Sequence, residues 1–180
     1  MKKPVTLYNV IIPIWLLFMF PPVWPVILAG NFGIDSLVLY LGMRWLGLAD
    51  KKAFYKKHIL KIWGCGFLGD LPGVLLMTLP MLLDGWLWNP ALPREAQGAA
   101  YLFASEKLGA VMMNPFANIW SFLWATFAVA VSALCLYWLN YKLCYRDSGL
   151  EEGQKTRLAL LMALVTAPWT FYLPTQWFYY

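Results

Sequence analysis

Five stretches of this chain are each apolar over about the length of a bilayer crossing: residues 10–29, 31–48, 62–83, 115–141 and 158–176. A transmembrane helix needs roughly 20 such residues, and few soluble folds have room for five runs of this kind in 180 residues. The runs are continuous. They do not alternate apolar and polar side chains over about ten residues, as a membrane β-barrel requires. Composition agrees: 61% of the residues are hydrophobic and only 13% are charged, against about 25% charged in a soluble domain. A soluble domain, a disordered chain and a disulfide scaffold (the chain has three Cys) are excluded. The expected fold is an all-α integral membrane bundle of about five transmembrane helices, kinked by proline, forming one transmembrane domain over 1–180.

Charge orients the bundle. With five crossings, the N-terminus, the 49–61 segment and the 142–157 segment share one side. That side carries Lys2, Lys3, Lys51, Lys52, Lys56, Lys57, Lys61, Lys142, Arg146, Lys155 and Arg157, with Arg44 at its boundary. The other side carries only Arg94 and Lys107. Basic residues gather in cytoplasmic loops. The N-terminus is therefore expected in the cytoplasm, with the 84–114 loop and the C-terminus outside. Lys2 and Lys3 before an apolar run suggest a signal peptide, but Pro21, Pro22 and Pro25 interrupt the run and the cleavage pattern is poor. It reads as a retained first span, crossing fully or re-entering near Pro21-Pro22. Trp45, Trp63 and Trp138 are expected near the inner boundary, and Trp24, Trp86, Trp88 and Trp177 near the outer one. Indole rings favour these interfacial belts. Trp15, Trp120, Trp124 and Trp169 fall deeper.

Prolines mark where helices are expected to break. Pro13, Pro21, Pro22, Pro25, Pro72, Pro80, Pro168 and Pro174 all lie in the three outward-running spans. Each removes a backbone donor, and in lipid the freed carbonyl must find another partner or a wet cavity. Gly30-Asn31 reads as a tight outer turn between the first two spans. Asp70-Leu71-Pro72-Gly73 reads as a mid-membrane break in which Asp70 caps a second half-helix.

Acids inside a span are rare, costly and usually functional. Asp35 and Asp70 are the two clear cases. Asp70 lies nine residues past Lys61, roughly 13 Å along a helix, which places it near mid-bilayer. The expected ligand-binding set is Asp35, Asp70, Asn31, Ser36, Asn114 and Asn118, around a cavity in the outer half. Each has a competing local role. Asn31 and Asn114 suit helix N-caps, Asp35 suits the positive end of a helix dipole, and Asp70 suits a kink. The Asn89-Pro90-Ala91 and Asn114-Pro115-Phe116 boxes lack the half-helix repeat of an aquaporin. Lys51, Lys52, Lys56 and Lys57 are expected against anionic headgroups, each contributing roughly 1 kcal/mol.

Several chemistries have no signature. There is no Walker loop, HExxH, nucleophile elbow or paired aspartate box. The GxGD spacing of intramembrane aspartyl proteases is also absent. Cys65, Cys135 and Cys144 form no CxxC pair, and His58 is the chain's single histidine. No catalytic residue, metal set, cofactor or nucleic-acid partner is expected.

Ile12-Pro13-Ile14-Trp15, the run Asn31-Phe32-Gly33-Ile34-Asp35-Ser36-Leu37 and the run Asn114-Pro115-Phe116-Ala117-Asn118-Ile119 resemble small uncharacterised polytopic membrane proteins of Gram-positive bacteria. That resemblance implies a bacterial plasma membrane location and supplies no activity. Pro21-Pro22-Val23-Trp24-Pro25 echoes the tryptophan-rich translocator family in composition, without that family's placement of the motif. In size the chain is similar to the substrate-binding subunits of energy-coupling-factor vitamin transporters, but it lacks their small-residue coupling motif. Three functions follow as expectations. The first is a small transport or ligand-binding subunit for a small polar or cationic solute. The second is a structural or regulatory subunit docked to another membrane subunit or to a second copy. The third is a membrane-embedded lipid-modifying enzyme, for which Asp84 is the best-placed acid.

Overall fold

The computed structural model describes residues 24–175, and no β-strand occurs among them. Four helices build the bundle: α1 (Trp24–Trp45), α2 (Lys51–Leu87), α3 (Ile119–Leu139) and α4 (Glu152–Val165). The first two, and α3 with the turn that extends it to Cys144, are long and apolar enough to cross a membrane. Their outer faces fit that reading. Leu37, Leu60, Leu75, Phe127, Leu134 and Leu164 are all exposed, which water would penalise and lipid would not.

Successive helices run antiparallel. Gly69 of α2 meets Leu136 of α3, Gly73 meets Ser132, and Trp124 reaches Leu76. Gly42 of α1 packs under Leu158 and Leu161 of α4. At Gly69 and Gly73 the missing side chain lets α2 and α3 approach closely, the usual device where lipid provides no hydrophobic drive between helices. This order places Arg44, Lys51, Lys52, Lys56, Lys57, Lys61, Lys142, Arg146, Lys155 and Arg157 at one end of the bundle, with Arg94 and Lys107 at the other. Two apolar cores hold the helices. One near the basic end contains Leu39, Met43, Ile62, Leu158 and Met162. The other contains Met77, Val111, Ala125, Ala128 and Phe171.

The structure corrects several expected boundaries. Most of the expected first span (residues 10–23) and the end of the last lie outside the described residues. The Gly30-Asn31 turn does not form, because α1 runs through both residues. A glycine inside a helix costs about 1 kcal/mol and an asparagine less. Opening the backbone in lipid costs several kcal/mol per unsatisfied group, so local turn preference loses. For the same reason Asp70 caps nothing. Helix α2 continues from Lys51 to Leu87 with Pro72 and Pro80 inside it. The expected outer loop 84–114 is partly helical, with short turns at Arg94–Ala96, Ala99–Leu102 and Phe103–Leu108. Its Leu108 and Val111 are buried. The fifth span is not one long helix. Helix α4 ends at Val165 after 14 residues, and the chain resumes as a 3-10 turn at Trp169–Tyr172.

Two tryptophans explain how Pro80 and Pro168 are accommodated. Pro80 leaves the carbonyl four residues back, that of Leu76, without its helical donor. The Trp124 indole N–H of α3 donates to that oxygen at 2.8 Å. Pro168 likewise leaves the Leu164 carbonyl open, and the Trp169 indole donates to it at 2.9 Å. In both cases an indole supplies the hydrogen bond that proline withholds.

Candidate functional site

A cavity of about 150 Å3 lies between α1, α2 and the broken end of α4. Along α1 and α2 it falls between the two apolar cores, close to the middle of each helix. Asn31 and Asp35 face it from α1. Trp63, Phe67 and Asp70 face it from α2, across Gly66. Val165, Thr166 and Trp169 close it from α4 and the segment beyond.

The two acids converge for simple reasons. Asp70 follows Gly66 by one helical turn, so both lie on the same stripe of α2. Gly66 carries no side chain to separate the helices. A Cβ placed there would sit 3.6 Å from an Asp35 carboxylate oxygen, so Asp35 reaches directly over the glycine. The two carboxyl groups are near enough to interact electrostatically. Asp35 is only 6% exposed and makes no hydrogen bond among the described residues. Among the described residues, one buried oxygen of Asp70 has no partner, and neither has the indole N–H of Trp63. Buried polar groups in folded proteins are nearly always paired. Here three polar groups that are unpaired among the described residues line one cavity.

The third wall adds negative potential. Thr166 N–H closes on the Met162 carbonyl and ends the α4 ladder, and Pro168 has no N–H with which to extend it. The C-terminal end of a helix carries about half a negative charge, and here that end faces two carboxyl groups. Among the described residues, no Lys, Arg or His side chain lines the cavity. The arrangement is electrostatically complementary to a cation. Among the described residues no group of three or more His, Cys, Asp or Glu side chains comes together. The oxygen-bearing residues that line it are Asp35, Asp70, Asn31, Thr166 and Thr170, with the end of α4.

Three of the six expected site residues meet at this cavity: Asn31, Asp35 and Asp70. The other three lie elsewhere. Ser36 points away from it, donating to the Phe32 carbonyl at 2.6 Å and meeting the Tyr55 hydroxyl at 2.9 Å. Asn114 caps the turn Pro115–Ala117 by accepting from the Phe116 N–H. Asn118 caps α3 by accepting from the Ser121 N–H. Both caps are complete local roles. Asp84 lies near the far end of α2, apart from the cavity, with one buried oxygen that has no partner among the described residues.

Trp63, Phe67, Thr166 and Trp169 belong to the site without having been singled out for it. Trp63, expected near the inner boundary, lines the cavity wall. The available signal was Thr166-Ala167-Pro168. The residue before a proline disfavours the helical region, and here the helix does end, whereas the equivalent Leu71-Pro72 remains helical. Compared with known protein families, characterised proteins and solved structures, the chain matches none, so the site is read from its own residues.

Proposed function

We propose that this is a small membrane transport or ligand-binding protein for a cationic solute, with Asp35 and Asp70 as the charged ligands and Asn31 as a neutral one. One observation carries the reading: among the described residues, two acids without side-chain hydrogen-bond partners share a cavity into which no basic side chain projects. Acids at membrane depth ordinarily pair with a cation or mark an ion path. A helix interrupted near mid-membrane, with its carbonyl end turned to the site, is the arrangement that transporters use for cations. The cavity's volume suits a small solute, well below the roughly 300 Å3 at which drug-sized pockets begin.

In this reading the basic end of the bundle lies in the cytoplasm of a bacterial cell. Lys51, Lys52, Lys56 and Lys57 then stand beside anionic headgroups. Charge displacement on a solid-supported membrane, recorded from reconstituted protein given a panel of small cations, tests the proposal. Wild type gives a saturable current with at least one cation, and Asp35→Asn and Asp70→Asn each abolish it. Currents unchanged in both variants overturn the assignment.

A further inference from the structure

The walls of the same cavity narrow the choice of cation. An alkali ion needs a closed shell of oxygen ligands, whereas this cavity offers oxygen on some sides and aromatic rings on others. Trp63, Phe67 and Trp169 all line it. Trp63 is wedged edge-on between Phe32 and Phe67, with ring centroids 6.0 and 5.5 Å away. Trp169 is held by its indole bond to the Leu164 carbonyl and by stacking on Tyr172. Two of the three rings are therefore fixed by contacts of their own. A rigid aromatic wall beside carboxylates is the pattern that recognises an organic ammonium group, whose charge is spread over C–H groups that pack on ring faces.

Resting on the cation-binding reading above, we infer that the ligand is a small alkylammonium ion. Its ammonium centre is held by Asp35 and Asp70 and its alkyl groups lie against Trp63, Phe67 and Trp169. Asn31 supplies an amide for any polar substituent. The volume of about 150 Å3 suits a small ion such as methylammonium or tetramethylammonium.

Calorimetry on the full chain in lipid nanodiscs tests this, titrating methylammonium, tetramethylammonium, tetraethylammonium and sodium chloride in turn. Tetramethylammonium is expected to bind more tightly than sodium, and the larger tetraethylammonium more weakly than tetramethylammonium. Phe67→Leu, which keeps an apolar side chain but removes the ring, is expected to weaken tetramethylammonium roughly two- to thirty-fold, the range of one cation–π contact. Sodium is expected to be unaffected by that change. Trp63→Leu provides a second variant should Phe67→Leu not fold. Asp35→Asn abolishes binding of either cation. Sodium binding that depends on Asp35, with no alkylammonium binding, overturns this inference and leaves the acid-pair reading standing. No binding by any cation overturns both.

Discussion

Replacing Trp124 by phenylalanine removes one hydrogen bond and keeps an aromatic ring in place. That hydrogen bond is the 2.8 Å contact from the indole N–H to the Leu76 carbonyl. Because Pro80 occupies the position that would otherwise donate to Leu76, the oxygen is left bare in the variant. A buried carbonyl without a donor costs about 1–3 kcal/mol. Measured hydrogen bonds between membrane helices fall near the low end, about 0.6–2 kcal/mol. The expected loss from this contact is therefore about 1 kcal/mol, with a further loss from the smaller ring. A double-mutant cycle separates the two. Pro80→Ala restores an N–H at position 80 that can bond Leu76 within the helix, so in that background the indole is no longer needed. Unfolding in bicelles, followed for wild type, both single variants and the double variant, should give a coupling free energy of about 1 kcal/mol between positions 80 and 124. A coupling near zero, with Trp124→Phe equally costly in both backgrounds, would refute the claim that the indole substitutes for the missing proline donor.

Other substitutions test separate parts of the account. Gly30→Ala should be neutral or stabilise by up to about 1 kcal/mol in the same unfolding assay, because α1 is helical there and the added Cβ meets nothing within 4 Å; a marked loss would restore the turn at Gly30-Asn31. Gly73→Ala should destabilise by about 1–3 kcal/mol, since its Cβ would overlap the Ser132 hydroxyl and crowd Phe171; unchanged stability would contradict the close α2–α3 approach. Gly66→Val should reduce cation affinity while leaving both acids present, because its branches fill the space below Asp35; wild-type affinity in calorimetry would place the ligand elsewhere. Exchanging Lys51, Lys52, Lys56 and Lys57 for Gln should strip anionic lipid adducts seen by native mass spectrometry, and retention of all of them would remove the headgroup contact.

The three long apolar runs behind α1, α2 and α3, and the segregation of basic residues to one end, were legible because both follow from transfer energetics summed over many residues. Asp35 and Asp70 were legible because an acid within such a run is conspicuous. The breaks were not. Gly30-Asn31 and Leu71-Pro72 carry strong local turn or kink signals, yet both sit in unbroken helix, while Ala167-Pro168 with a similar signal ends one. What accommodates a proline can lie far off in sequence, as it does for Pro80 of α2. The Leu76 carbonyl is rescued by Trp124, 48 residues away, a pairing that no local pattern displays. The same limit hid the cavity walls. Trp63 and Trp169 are 106 positions apart and line one cavity only because α4 stops where it does. Asn114 and Asn118 show the converse, since their capping geometry was readable and left nothing over for a ligand.

The account depends most on the claim that Asp35 and Asp70 act together as one cation site. The direct measurement is the cation-binding isotherm of the protein in nanodiscs, compared across wild type, Asp35→Asn, Asp70→Asn and Asp84→Asn. Asp84 is the control, an acid on the same helix as Asp70 but away from the cavity. The account predicts that the first two variants lose binding and the third retains it. Equal affinity in all three variants, or a loss confined to Asp84→Asn, would contradict it.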